Sequence, residues 1–359
     1  MTQSGRAPWW SWTAPVLAWA VLIVVYLFGG KGIIVAVAGI ALIATVLAAV
    51  YHAEVVAHRV GEPFGTIVLA FAVTVIEAAL IVSMMLSPGL ESASLARDTV
   101  FSAVMIVCNG IVGLCLLVGG ARHREQGFQV TGASAALAVL AALTVLTLVL
   151  PNFTITTPGP QYSKAQLVYA GAASLVLYGS FIFVQTVRHR DYFLPLEDQS
   201  GPDGASPSNR AALVGFVLLI VCLAAVVLLA KALTPALEAG IAWLQVPKSF
   251  AGVVIATLVL LPEGMAALKA AHANRLQTSL NLALGSALAT IGLTIPVVAA
   301  VAIALNQPLA LGLEPKEEIL LALTLMLGVI TLGTGRTTVL QGIVHLVIFA
   351  TFLFLSIVP

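Results

Sequence analysis

Apolar runs long enough to cross a lipid bilayer recur from one end of the chain to the other. A helix spanning about 30 Å of hydrocarbon needs roughly 20 residues. Runs of that kind fall at 12–29, 32–50, 64–87, 98–120, 130–150, 165–187, 211–230, 248–269, 276–303, 318–335 and 337–358. They take up about two thirds of the 359-residue chain, and only 9% of its residues are charged while 60% are hydrophobic. A soluble globular chain carries about 25% charged residues, so this sequence has too little polar surface to face water on all sides. The runs are continuously apolar rather than alternating, which excludes barrel strands. The expected fold class is an all-α polytopic membrane protein of about 11 transmembrane helices.

The longest polar stretch, 188–210, contains LPLEDQSGPDGASPSNR and reads as a solvated linker. It divides the chain into an N-terminal segment with a leading helix (1–31), a first five-helix set (32–187) and a second five-helix set (211–359). An odd number of helices per set makes the second enter the membrane from the opposite side, the inverted repeat of many alternating-access transporters. Trp9 and Trp10 beside Arg6 suit an interface anchor, so the first run is read as retained rather than as a cleaved leader. With the N-terminus in the cytoplasm, ten basic residues fall inside (Arg6, Arg59, Arg122, Arg124, Arg188, Arg190, Arg210, Lys269, Arg275, Arg336). Six fall outside (Lys31, Arg97, Lys164, Lys231, Lys248, Lys316), and this bias supports that orientation. A formal charge of +1 with no basic tract gives no sign of a nucleic-acid partner. Cys108, Cys115 and Cys222 lie within apolar runs without CxxC spacing and read as packing residues.

Two carboxylates cannot easily reach an interface. Glu77 lies midway along AVTVIEAALIVSMM, and Glu263 lies deep within ATLVLLPEGMAALKAA. A carboxylate at that depth is costly unless it is protonated, paired or bound to a cation. With every Lys and Arg placed outside the middle of a span, reversible binding of protons or metal cations is the favoured explanation. Protonated carboxyls hydrogen-bonded between helices are the structural alternative. Thr74 is one turn before Glu77, and Asn109, Ser279, Asn281, Ser286 and Thr290 sit on the helices that follow the two glutamates. Their oxygens suit the shell a hard cation prefers, although Ser and Thr also back-bond within helices. Gly110, Gly113, Gly285, Gly292 and Pro262 favour close approach or a broken helix there. His52, Glu54, His58 and Glu62 form either a proton entry route or an interfacial polar cap. His345, deep in the last run and without a partner legible in the sequence, is a proton-path candidate. No phosphate-binding loop or nucleophile–base cluster appears, which argues against an enzyme and an ATP-driven pump.

The segments HAEVVAHRVGEPFGTIVLAFAVTVIEAALIVSMM, RDTVFSAVMIVCNGIVGLCLLVGG and LVLLPEGMAALKAAHANRLQTSLNLALGSALATIGLTIP resemble the calcium/cation antiporter superfamily. They are most similar to its bacterial ChaA-type calcium/sodium–proton antiporters. The resemblance runs from about residue 35 to the end. It implies one leading helix and two inverted five-helix repeats, with Glu77 and Glu263 at the ion site beside Asn109, Ser286 and Ser279. Superfamily members often carry Gly-Asn before the repeat acid; here those positions are Val73-Thr74 and Val259-Leu260. Val104-Met105 stands where many relatives have Gly-Ser, while Gly285-Ser286 keeps that pair, so the halves offer unequal ligands.

The expected function is secondary antiport that exports Ca²⁺ and/or Na⁺, with K⁺ a further candidate, in exchange for H⁺ by alternating access. A gated cation channel without obligatory proton coupling is the alternative, and a non-transporting scaffold a second. No cofactor is expected. The expected partners are inorganic cations, protons and the lipid of a bacterial cytoplasmic membrane, with the chain acting as a monomer or homo-oligomer.

Overall fold

The computed structural model describes residues 8–61, 64–85, 92–194 and 207–359. In chain order the helices are α1 (Trp9–Phe28), α2 (Ile33–Val60), α3 (Phe64–Met85), α4 (Ser92–Met105) and α5 (Val112–His123). There follow α6 (Val130–Thr144), α7 (Lys164–Phe183), α8 (Asn209–Leu244), α9 (Phe250–His272) and α10 (Leu276–Ala289). The last are α11 (Ile295–Ala304), α12 (Pro315–Leu332) and α13 (Val339–Ile357). A π-helical turn, Ile106–Ile111, joins α4 to α5, and another, Thr290–Thr294, joins α10 to α11, so the thirteen helices of the described residues form eleven continuous rods. Nine of these are long and apolar enough to cross a membrane on their described residues. With no water in hydrocarbon, helices satisfy their own backbone groups, which is why such runs take this form.

The chain packs as two compact units that cut across its sequence order: 1–87 with 202–243, and 88–201 with 244–359. In the first, α1 lies along α2. Ala38, Ala48, Ala49 and Ala53 are buried, and Trp10 meets Tyr51 edge-on with ring centroids 5.4 Å apart. The start of α8 is tied to the end of α2 by Arg59 Nε, which donates to Asn209 Oδ1 at 2.7 Å.

In the second unit the rod Ala93–His123 is the core, with 83% of its most apolar window buried, against 17% for Val339–Ile357 on the periphery. Small residues let the helices approach closely. A Cβ added at Gly342 of α13 would lie 2.5 Å from the Leu117 nitrogen of α5. Two short turns are joined by an antiparallel ladder in which β1 (Gln126–Gly127) pairs with β2 (Arg336–Thr337). Arg336 Nη1 lies 3.5 Å from Glu125 Oε2 beside it.

Besides α2, which continues to Val60 rather than ending near 50, three sequence expectations need correction. The run expected at 211–230 is part of a helix that continues to Leu244, so Lys231 lies within α8 rather than in a connection. The run expected from 98 begins at Ser92, which brings Arg97 inside a helix. There it is buried against Asp98, with Arg97 Nη2 2.7 Å from Asp98 Oδ1. A buried ion pair therefore does exist, at the mouth of a span. Third, the start of the expected solvated linker docks on the second unit. Phe193 is buried, and its carbonyl accepts from Asn281 Nδ2 at 2.6 Å. Residues 195–206 of that linker, together with Arg6 and Glu62, lie outside the described residues.

Candidate functional site

The first glutamate belongs to the first unit. Glu77 and Thr74 occupy successive turns of α3, are 2% and 4% exposed, and both have interaction partners. Their neighbours Val73, Ile76, Ala78 and Ile81 are buried as well, so this polar pair sits in an apolar helix interior. A buried hydroxyl one turn from a carboxylate places two oxygens on a similar face.

The second glutamate belongs to the second unit. Glu263 is half-buried on α9 and also has a partner. Pro262 precedes it and removes the donor that Leu258 would otherwise receive, leaving a carbonyl one turn back. Next to Glu263, Gly264 faces Ile111, whose side chain a Cβ there would meet at 3.2 Å. This contact sets α9 against the π-helical turn that carries Asn109. On α10, Ser279 is buried beside the Cys115 thiol, and Ser286 is half-buried. Thr290 is buried and opens the second π-helical turn. Both helices that follow a glutamate thus carry a π-helical turn, although such turns also end α6 (Val145–Val149) and α7 (Val184–Arg188), away from the glutamates. Asn281 takes a different part: its amide accepts from Gln277 Nε2 at 2.9 Å and donates to Phe193, so it anchors a chain segment.

Asn109 is fully buried and both ends of its amide are engaged. Its Nδ2 donates to Thr324 Oγ1 of α12 at 2.8 Å. Its Oδ1 lies 3.1 Å from His345 Nδ1 of α13. The other imidazole nitrogen, Nε2, lies 3.1 Å from Thr331 Oγ1. His345 is therefore not alone in its span. Thr324 and Thr331 were not singled out in the sequence; their signal is the seven-residue spacing that puts two hydroxyls on one face of α12.

Near the start of α4, Arg97 also donates through Nη1 to the Gly312 carbonyl at 3.1 Å, and Ser94 Oγ donates to Asp98 Oδ2 at 3.2 Å. Asp98, Ser102, Ser249 and Glu317 line a small polar recess there. In the first unit, His52 is buried, and its Nε2 lies 3.0 Å from the Ser11 carbonyl, docking α1 on α2. Glu54 and His58 lie further along α2, Glu54 half-buried and His58 exposed. Among the described residues no three His, Cys, Asp or Glu side chains converge as a metal cluster.

Eleven rods, deep carboxylates on two of them and polar residues at broken turns define a polytopic membrane transporter. The sodium/calcium exchanger protein family matches residues 31–187 and 214–358. The chain belongs to that family, and so to the calcium/cation antiporter superfamily; it is a transporter and not an enzyme. The y4hA protein of Sinorhizobium fredii is 52% identical over 360 residues, covering 99% of this chain and 98% of its own. The sodium-potassium/proton antiporter ChaA of Escherichia coli is 36% identical over 349 residues, 94% of this chain and 93% of that one. Among solved structures, native YfkE superposes with a TM-score of 0.74 at 15% identity over 97% of this chain and all of that one. The H⁺/Ca²⁺ exchanger CAX gives 0.72 at 14% identity over 96% of this chain and 87% of that one. These likenesses support the fold.

Proposed function

We propose that this chain is a secondary antiporter that moves Ca²⁺ or Na⁺, with K⁺ as a further substrate, against H⁺ by alternating access. The observation that carries the reading is the matched pair of carboxylates: Glu77 and Glu263 each lie within an apolar helix of one family-matched stretch. A carboxylate kept in such a helix is stable with a proton or a metal cation bound, and the two occupants exclude one another. Protons taken up on one side and released on the other then drive a cation the opposite way. The name of the Escherichia coli relative, a sodium-potassium/proton antiporter, supports the monovalent substrates, and the CAX likeness supports a Ca²⁺-exchanger fold.

In this reading 32–187 and 211–359 are inverted repeats, the N-terminus is cytoplasmic and the protein resides in a bacterial cytoplasmic membrane. Thr74, Asn109, Ser279 and Ser286 supplement the glutamates as cation oxygens. The test is made in sealed proteoliposomes: internal pH is followed while Ca²⁺, Na⁺, K⁺ and Mg²⁺ are added separately under an imposed proton gradient. Cation-dependent proton movement that is lost in both E77Q and E263Q is expected. Cation flux without proton movement would instead identify a channel.

A further inference from the structure

We propose that His345 is a positioning residue for cation binding, acting through Asn109. This rests on the antiport reading above, with Asn109 among the cation oxygens. α13 is the least buried of the nine described helices long and apolar enough to cross a membrane: its buried residues are Gly342, His345 and Phe352. An imidazole 1% exposed on that narrow inward face is costly unless both nitrogens are satisfied. Both are.

The directions of the hydrogen bonds follow from the donors available. An amide oxygen only accepts, so His345 Nδ1–H donates to Asn109 Oδ1. Nε2 of the neutral ring then accepts from the Thr331 hydroxyl. At the other end, the Thr324 hydroxyl donates to the Leu320 carbonyl at 2.7 Å, so its oxygen receives Asn109 Nδ2–H. The chain Thr331, His345, Asn109, Thr324, Leu320 runs in one sense and uses three rods: the α4–α5 rod, α12 and α13.

An amide oxygen has two lone pairs. His345 occupies one and thereby fixes the aim of the other, which is the one a cation takes. Thr324 holds the nitrogen end so that the group does not rotate. Orientation of a ligand by a partner behind it is how metal sites are tuned generally. The partners on α12 and α13 hold the Asn109 side chain from outside its own rod.

The experiment measures cation KM and Vmax of proton exchange in proteoliposomes for the whole protein, with Ca²⁺ and Na⁺ as probes, each alone. His345→Leu removes the donor and is expected to raise KM about tenfold with Vmax within about twofold. His345→Asn, whose amide N–H falls near the Nδ1 position, is expected to stay within about threefold of wild type. In an N109A background, H345L is expected to add less than about twofold, because residues acting as one unit are not additive. A merely structural role would lower the active fraction and hence Vmax, and it would leave KM alone. Unchanged KM in H345L, or its full effect persisting in N109A, would overturn the proposal. Thr331→Val, which keeps side-chain volume and removes only the hydroxyl behind Nε2, repeats the test should H345L not be recovered folded; a KM equal to wild type overturns the proposal there too. Wild-type vesicles that move no protons with either cation would instead sink the antiport reading itself.

Discussion

Replacing Gly342 by alanine adds one methyl group at a close helix contact of the second unit, between α13 and α5. An added Cβ would stand 2.5 Å from the Leu117 nitrogen, 2.8 Å from Leu117 Cα and 2.9 Å from the Gly113 oxygen. All three are backbone atoms, so no side chain can swing aside. Carbon contacts relax at about 3.5–4.0 Å, so α13 must retreat from α5 by roughly 1 Å at this point. His345 is one turn further along α13, and its two hydrogen bonds are already 3.1 Å long. Hydrogen bonds of this kind run from about 2.7 to 3.2 Å, so a retreat of that size breaks the one to Asn109, which belongs to the α4–α5 rod. Overpacking costs about 1–3 kcal/mol. At roughly 2 °C per kcal/mol the melting midpoint of the purified protein in detergent falls by about 2–6 °C. Gly285→Ala is the control, since nothing lies within 4 Å of a Cβ there. With room for the methyl group, that change gains about 0.5–1 kcal/mol of helix propensity. The assay is thermal unfolding of both variants, followed by exchange in proteoliposomes. Equal midpoints for G342A and G285A would refute the packing argument.

Other residues lead to further expectations. Asp98→Asn leaves the buried Arg97 guanidinium without its charge partner and should destabilise by about 3–5 kcal/mol; replacing both by apolar residues should recover most of that, read by thermal unfolding. Asn281→Ala orphans the Phe193 carbonyl, at about 1–3 kcal/mol, and should speed protease cleavage around residues 188–194 with little change in overall melting. Tyr162, in the connection before α7, donates to the Leu146 carbonyl at 2.6 Å. Burial pushes its hydroxyl up from 10.0 to about 12. The stability it contributes is present below pH 10 and is lost as pH rises from about 10 to about 12; ultraviolet titration of Tyr162→Phe against wild type should show the loss of one late-titrating phenol.

Much of the architecture was readable in advance because lipid imposes one rule, that apolar runs of sufficient length become helices. The eleven runs correspond to eleven rods, and Glu77 falls, as the run around it required, in a buried helix interior. What escaped was set by neighbours distant in sequence. Arg97 looked like a loop charge because nothing local shows that Gly312 offers it a carbonyl 215 residues away. His345 looked solitary because its partners are side chains on two other rods. The ends of α2 and α8 were misplaced since helix propensity does not stop where hydrophobicity does. Asn281 resembled Asn109 in the sequence, as an amide on a helix that follows a glutamate, yet one secures a chain segment and the other sits in a buried polar chain.

The two-residue ladder between Gln126–Gly127 and Arg336–Thr337 has a practical use. It fastens the turn after α5 to the turn before α13, with both termini of the tie inside one unit. Spin labels placed on either side of it should report the same separation in every stage of a transport cycle. The ladder therefore offers a fixed ruler, against which label pairs elsewhere can be read as genuine displacement rather than as drift of the probes.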